Sequence, residues 1–570
     1  MSNQVEERAK YLESILESKA AKKIIVAGPG TGKTFTFKKF LGHLGPGNYL
    51  VLSFIRKLVD DLAKDLGDAA EVKTFHAFCK RILHESQGKV DLYHRLTQII
   101  QKDSELLGYT YSDFDSKFRN LEEKAPEIDF YISRGDYYDH LCFDDSVYRL
   151  YKLLLEDESI LDYYDHIIVD EYQDFNKLEV EFLKVLEQKG PILIVGDDDQ
   201  AIYEGRSSTP DFLREKYNSD EYEIFELPYC SRCPSVIVEA VNAFITKIIN
   251  GGGLSERIEK QYLPFTEGNE DLNEYYSKIN IVTVPVMATI AKYIDVEISK
   301  IPKRDIIESN DRNNEYPTVL IIGQKHYLSE IHKILKKKYP NIAYDSKSTD
   351  DTNKVLDAIK ILLKDDTSNL GWRIITEELQ GTLVLRSGVL ASQKGAPMFE
   401  VIPEDFLEST LSILEIIKDV SKQNREFTEV EKNTLLSGLK EYTEGVINYY
   451  SPSVEEEEIA KDSNIPAILL RTFEGCKGLS GGHVFIVGAN NTSMPKINPD
   501  DTISDIECSK FIVALTRTRK QCHIISNYWL SSPVTKDKKS LPKFERSYFV
   551  GLIPSNLLNN KRVQKAADIK

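Results

Sequence analysis

KKIIVAGPGTGKTFTFKKFL, residues 22–41, decides the fold. The run Ile24-Ile25-Val26-Ala27 reads as a short buried strand, residues 28–32 as a Gly-rich turn, and Lys33-Thr34 opens a helix-compatible segment. Strand, loop and helix in that order make a phosphate cradle, because loop N–H groups and the helix N-terminus face one point. Gly28, Gly30 and Gly32 let the chain turn without a Cβ clash, and Thr31 completes the loop. Lys33 is placed as a point charge for the β- and γ-phosphates, and Thr34 offers a hydroxyl to Mg²⁺. The first motif position is Ala27 rather than glycine.

A phosphate loop needs an acidic partner, and HIIVDEYQD (166–174) supplies one. The run is apolar up to Asp170, which puts Asp170 and Glu171 at a strand end. Asp170 suits Mg²⁺, and Glu171 suits the positioning and deprotonation of an attacking water. ILIVGDDDQAIY (192–203) is a second buried strand opening into polar residues. Gln200 is placed to contact a γ-phosphate and report its loss, while Asp197, Asp198 and Asp199 read as cap and turn residues rather than ligands.

The 570 residues suffice for three to four domains, and the formal net charge of −17 excludes a surface that binds nucleic acid everywhere. A local basic groove remains compatible, since contacts act within a Debye length of about 8 Å. MSNQVEERAK lacks the apolar core of a signal peptide, and no apolar run is long enough to span a bilayer. Seven scattered cysteines point to reduced thiols and a cytoplasmic protein. Cys230 and Cys233 form a CxxC without partners for a metal or redox site. Strand–helix alternation fills 1–84 and 161–245, with a polar, Tyr-rich helical stretch between. NGGGLS (250–255) breaks the chain, INIVTV and TVLIIG resume the alternation, and 350–460 reads mainly helical up to the acidic SVEEEEIAKD (453–462).

In this order the chain carries AGPGTGKT, VLSFIRK (51–57), KTFHAFCKRIL (73–83), VDEYQD (169–174), GDDDQAIY (196–203), LPYCSRCPSVIVEAVN (227–242), RTFEGCKGL (471–479) and IVALTRTR (512–519). This series resembles the UvrD/Rep-type superfamily 1 DNA helicases across nearly the whole chain. The resemblance implies an α/β fold of two RecA-like P-loop domains, parallel sheets flanked by helices, each interrupted by a mainly helical insertion. The expected division is 1–84 and 151–248 for domain 1A, 85–150 for insertion 1B, 249–365 and 464–550 for domain 2A, and 366–463 for a reduced insertion 2B. Residues 551–570 read as a polar tail. ATP with Mg²⁺ is then expected between the domains. Lys33, Thr34, Asp170, Glu171 and Gln200 come from one side, and Arg232 and Arg517 from the other as charge-neutralising arginines. Gly478 is implied at the same nucleotide.

The resemblance also implies a single strand, or a single-strand/duplex junction, across the top of both domains. It assigns Phe54, Arg56, Lys57, Thr74, Phe75, His76, Tyr203, Arg206, Thr472 and Lys477 to that strand, with aromatics for stacking and cations for phosphates. This chain departs from the family pattern in several places. The aromatic two residues after Tyr203 is Gly205. The adenine-stacking Tyr before the motif arginine is Ser231, and the Arg after the Lys-Thr pair is Phe35, which offers a replacement apolar face for the base. The upstream adenine-reading Gln has no match, Gln4 being far from the loop in sequence, and Glu474 and Ser480 replace the usual His and Glu. The leading expectation is an ATP-dependent translocase or helicase running 3′ to 5′. The alternative is a nucleotide- and DNA-sensing subunit that regulates a separately encoded nuclease, as in two-gene phage-defence systems such as Gabija.

Overall fold

The computed structural model describes residues 4–54, 59–60, 62–64, 67, 70–88, 91–311, 316–344, 352–452, 465–491, 493–498, 502–530 and 543–563. Two all-parallel sheets dominate. In the first, Glu71–Thr74, Tyr49–Ser53, His166–Val169, Ile192–Gly196, Lys22–Ala27 and Glu223–Leu227 lie side by side in that order. The strand before the Gly-rich loop is interior: Ile25 sits opposite Val195 on one side and Phe225 on the other. Helices cover both faces, so the interior strands Tyr49–Ser53, His166–Val169 and Ile192–Gly196 are buried throughout instead of alternating. On one face Phe37, Phe40 and Leu41 of the helix Lys33–Leu44 pack on Ile25, Val51, Ile168 and Leu193.

The second sheet has the order Ile342–Tyr344, Ile468–Arg471, Val319–Ile322, Gly481–Val487, Thr518–Trp529, Ile279–Val286 and Leu558–Arg562. The expected α/β class with two parallel sheets flanked by helices is the observed one. In such sheets the crevice at the carboxyl ends of the strands is where ligands bind. The loop after Ala27 and the acids after Val169 both open there.

Three expected boundaries move. The helix Ser235–Asn250, assigned by sequence to the first domain, packs on the second: Val241, Phe244 and Ile245 share a core with Phe511 and Phe549. Its apolar face decides its allegiance, and the crossover falls near Cys230. The tail expected over 551–570 contains an edge strand, Leu558–Arg562, paired with Ile279–Thr283. Its side chains are mostly exposed, so it leaves no hydrophobic pattern; backbone pairing and the buried flanks Leu557 and Val563 hold it. The second helical insertion starts earlier than 366, because the helix Thr352–Lys364 packs on Asn369–Gln380 and buries Val355, Ile359 and Leu362 among the insertion helices. Its expected end at 463 lies outside the described residues.

The two insertions are joined to each other. Asp103, fully buried in the first, accepts from Arg134 Nη2 at 2.7 Å and from Arg373 Nε of the second at 2.8 Å. Lys102 and Glu377 pair at 2.5 Å beside them. Removing one member of such a buried set typically costs about 3–5 kcal/mol, because the remaining charge is stranded. No helix among the described residues is long and apolar enough to cross a membrane.

Candidate nucleotide site and strand groove

The Gly-rich loop is shaped by two left-handed glycines, Gly30 at φ 72° and Gly32 at φ 91°. Gly30 has a second constraint: a Cβ there would run into the Cβ of Arg232. Thr31 Oγ1 donates to the Gly28 carbonyl at 3.0 Å, and Thr36 N–H donates to the Gly32 carbonyl at 2.9 Å. The loop is therefore closed on itself, and the helix Lys33–Leu44 starts with its N-terminus free toward the crevice.

Lys33 Nζ meets Glu171 Oε1 at 3.0 Å. Glu171 holds a left-handed φ of 55°, uncommon for a residue with a Cβ, and Gln173 Nε2 donates to its other oxygen at 2.6 Å. Burial pushes the Glu171 carboxyl up, but Lys33 and Lys477 outweigh it and hold the group well below the usual carboxylate range. Asp170 is the opposite case. It is 0% exposed, and neither carboxylate oxygen meets a hydrogen-bond partner of good geometry. Burial and the neighbouring Glu171 raise it to about 7. An orphaned buried carboxylate beside a phosphate cradle fits a divalent cation, and a hard cation of the Mg²⁺ type takes such oxygens. Asp170 could hold it, with Thr34 at the start of the helix that follows the loop.

Arg517 is 2% exposed and pairs with no carboxylate among the described residues. Its Nε and Nη1 donate to the carbonyls of Val513 and Leu479 at 3.0 and 3.1 Å. Burial and nearby Arg232 lower it to about 10. Arg232 follows the short strand Tyr229–Cys230, and Ser231 N–H donates to the Gly30 carbonyl at 3.0 Å, fixing this turn on the loop. The structure thus brings Lys33, Asp170, Glu171, Gln200, Arg232 and Arg517 to one seam between the sheets. Gln200 Nε2 is bonded to Asp197 Oδ2 at 2.7 Å. Gly478, at φ 77°, is exposed in the motif carrying Lys477.

Several residues stand elsewhere than expected. Lys477, expected on the strand, is buried in the nucleotide seam: its ammonium meets Asp174 Oδ2 at 2.5 Å, the Gln200 carbonyl at 2.7 Å and Glu171 at 3.6 Å. A motif spacing shows which loop carries the lysine but not that two acids across the seam draw it inward. Phe75 is fully buried against Phe175 and Phe182, so it supports the groove rather than touching a strand. Thr74 caps the following helix by accepting from Ala77 N–H, and Thr472 accepts from Gly475 N–H. Arg56 and Lys57 lie outside the described residues. Phe35 is half exposed beside the loop, with Lys39 over its ring. Asp197, Asp198 and Asp199 are buried cap and turn residues whose oxygens lie close enough to hold a cation, but Lys260 sits among them. Cys230 and Cys233 are free and buried.

Two residues passed over in the sequence join these sites. Although Gln4 lies far from the loop along the chain, its helix Gln4–Glu17 returns beside it: Arg8 points at Gly32 and lies 5.2 Å over the Phe265 ring. Phe143 opens the helix Phe143–Glu156 and is 44% exposed, edge-on to His76 at 5.1 Å. The only mark it leaves in the sequence is an aromatic directly ahead of two acids, in CFDD. His76, Phe143, Arg119 and Arg206 line a cavity of about 310 Å³. Arg206 lies 4.5 Å over Phe54 and pairs with Glu179 at 3.1 Å, and burial with the two arginines lowers His76 to about 3. Tyr203 stands at the seam, with Lys477 over its ring. At Gly205 a side chain would meet open space, while its carbonyl accepts from Arg119 at 2.9 Å.

A phosphate loop, an orphaned buried carboxylate, an ionised glutamate paired with the loop lysine and two arginines from across a seam mark a two-domain P-loop nucleotide hydrolase. Residues 12–206 match the family described as AAA domain. A probable DNA helicase II homolog of Mycoplasma genitalium is 22% identical, covering 94% of this chain and 86% of its own length. The ATP-dependent DNA helicases PcrA of Staphylococcus aureus and Staphylococcus epidermidis are 24% and 23% identical, each covering 96% of this chain and 86% of its own. Over most of its length the chain is thus similar to superfamily 1 DNA helicases of the PcrA and helicase II type.

Proposed function

We propose that the chain is an ATP-driven motor that moves 3′ to 5′ on single-stranded DNA and opens duplex at a single-strand/duplex junction. The observation that carries this reading is the orphaned Asp170 carboxylate beside the Lys33–Glu171 pair, with Arg517 from the other side of the seam within the field of Glu171. Lys33 exchanges Glu171 for the β- and γ-phosphates. Glu171, kept ionised by Lys477, then orients the attacking water and takes its proton. Arg232 and Arg517 spread the charge of the transferring phosphoryl group, and an arginine of this kind is worth roughly 10³–10⁵ in rate. Mg²⁺ held by Thr34 and Asp170 would neutralise charge on the phosphates. Because the arginines come from the second domain, closure of the seam and hydrolysis are one event. The printed names of the relatives, ATP-dependent DNA helicase and DNA helicase II homolog, support ATP as fuel and DNA as track.

The strand path runs over Phe54, His76, Phe143, Tyr203 and Arg206, an aromatic row with cations between, and past Thr74 and Thr472. Phe143 supplies stacking that Gly205 lacks. A second reading draws on the buried Asp103–Arg134–Arg373 set that joins the two insertions and on the missing aromatic at 205. Here the chain senses nucleotide and DNA and regulates a separately encoded nuclease, with little unwinding. Strand displacement on duplexes with a 3′ or a 5′ tail separates the two. Opening of 3′-tailed duplex by the purified chain supports the motor; strand-stimulated turnover without displacement supports the regulator; displacement only from 5′ tails refutes the polarity.

A further inference from the structure

Residues 254–266, which begin within the break NGGGLS and lie otherwise outside the motifs above, form a strap along one side of the nucleotide seam. At its start, Leu254 N–H donates to Asp505 Oδ1 at 2.9 Å, on the helix that ends two residues before Arg517. Ile258 N–H donates to Asp198 Oδ2 at 2.8 Å, and Arg257 Nε reaches both oxygens of Asp199 at 2.8 and 3.0 Å. Lys260 Nζ sits among all three acids, 3.1 Å from Asp197 and 3.4 Å from Asp199, and bonded to Asp198. The Tyr262 hydroxyl lies 2.5 Å from Asp199 Oδ2 and 3.0 Å from Asp197 Oδ2. Its ring packs on the phosphate loop, where a Cβ at Gly28 would collide with it. Leu263–Pro264 then pairs with Tyr229–Cys230, immediately ahead of Ser231 and Arg232.

The turn 197–199 needs this strap. Three adjacent buried carboxylates are costly unless each is paired, and left uncompensated beside a triphosphate site their field repels the ligand. Arg214, at 3.2 Å from Asp198, and Arg257 and Lys260 supply three cations for the three acids. Lys260 alone reaches all of them, in the position a metal ion would take. Asp197 is also the carboxylate to which the Gln200 amide is bonded.

We infer that Lys260 and Tyr262 are positioning residues for nucleotide hydrolysis. They neutralise and fix the Asp197 carboxylate, so that the Gln200 amide exchanges it for the γ-phosphate, and Tyr262 seats the loop at Gly28. The inference rests on the nucleotide-site reading above. Its test uses the full chain, a fluorescent ATP analogue for affinity, and steady-state ATP turnover at two ionic strengths, with Lys260→Met, Lys260→Arg and Tyr262→Phe. Lys260→Met weakens nucleotide binding on the order of tenfold at both ionic strengths, because the acids are buried and little screened. Lys260→Arg restores binding to within a few-fold of wild type. Tyr262→Phe keeps the ring on Gly28 and lowers kcat several-fold with KM nearly unchanged. Wild-type affinity and kcat in both Lys260→Met and Tyr262→Phe overturn the inference. So does a loss in Lys260→Met that is not rescued by Arg, the mark of a merely structural ion pair. If Lys260→Met does not fold, the kcat-against-KM split in Tyr262→Phe decides. A wild-type chain with no nucleotide affinity overturns the site reading itself, whereas intact wild-type affinity with unaffected variants overturns only the strap.

Discussion

Asp170→Asn separates the stability of the seam from its chemistry. The Asp170 carboxylate is wholly buried without a good hydrogen-bond partner and stands next to an ionised Glu171. A buried unsatisfied polar group costs about 1–3 kcal/mol, and more when charged. Asparagine has the same shape and keeps an unpaired amide but carries no charge, so it relieves the charge part of that cost, about 2 kcal/mol in the nucleotide-free chain. For a cooperative unit of 150–250 residues that is a rise in Tm of roughly 4–8 °C. The same substitution removes the cation ligand, so turnover falls by at least about a thousandfold, the order expected when charge stabilisation of a phosphoryl transfer is lost. Differential scanning fluorimetry with and without magnesium and ATP reads both effects. The variant melts higher than wild type when free, and magnesium no longer adds to its stabilisation by ATP. A lower Tm for the free variant refutes the reasoning, because it shows that Asp170 is satisfied rather than orphaned; retained turnover removes Asp170 from the site.

Three further outcomes follow from other parts of the molecule. Arg517→Ala lowers ATP turnover roughly a hundredfold or more while nucleotide affinity stays within a few-fold; equal loss of both shows that Arg517 holds the ground state instead. Gly205→Trp enters open space and adds a stacking platform worth roughly 1–3 kcal/mol, so single-strand affinity by fluorescence anisotropy rises about five- to a hundredfold; no change places the strand elsewhere. His166 is lowered from 6.5 to about 4 by burial and Lys23, and its Nε2 has no partner. The unfolded chain therefore binds this proton first, and stability is lost as pH falls from 6.5 through 4, by up to about 3 kcal/mol. His166→Leu flattens that acid limb in denaturant titrations, and an unchanged limb assigns the loss to other groups.

What the sequence revealed is what is local. AGPGTGKT, VDEYQD and GDDDQAIY each carry their strand end and turn within a few residues, so Lys33, Asp170, Glu171 and Gln200 were legible with their neighbours. What escaped depends on tertiary choice. The helix Ser235–Asn250 is equally apolar whichever sheet it covers, and only Phe511 and Phe549 decide. Leu558–Arg562 pairs through its backbone and shows no alternation. Lys477 and Asp174 stand 303 positions apart, and Asp103 and Arg373 stand 270 apart. No spacing rule predicts that such charges meet. Gln4 looked remote because the chain distance to the loop hides the return of its helix, which brings Arg8 to Gly32.

The most direct test of the account is steady-state ATP hydrolysis by wild type and Glu171→Gln, with and without single-stranded DNA. Turnover is strongly stimulated by the strand in wild type and abolished in Glu171→Gln. Turnover indifferent to DNA, or surviving in Glu171→Gln, contradicts it.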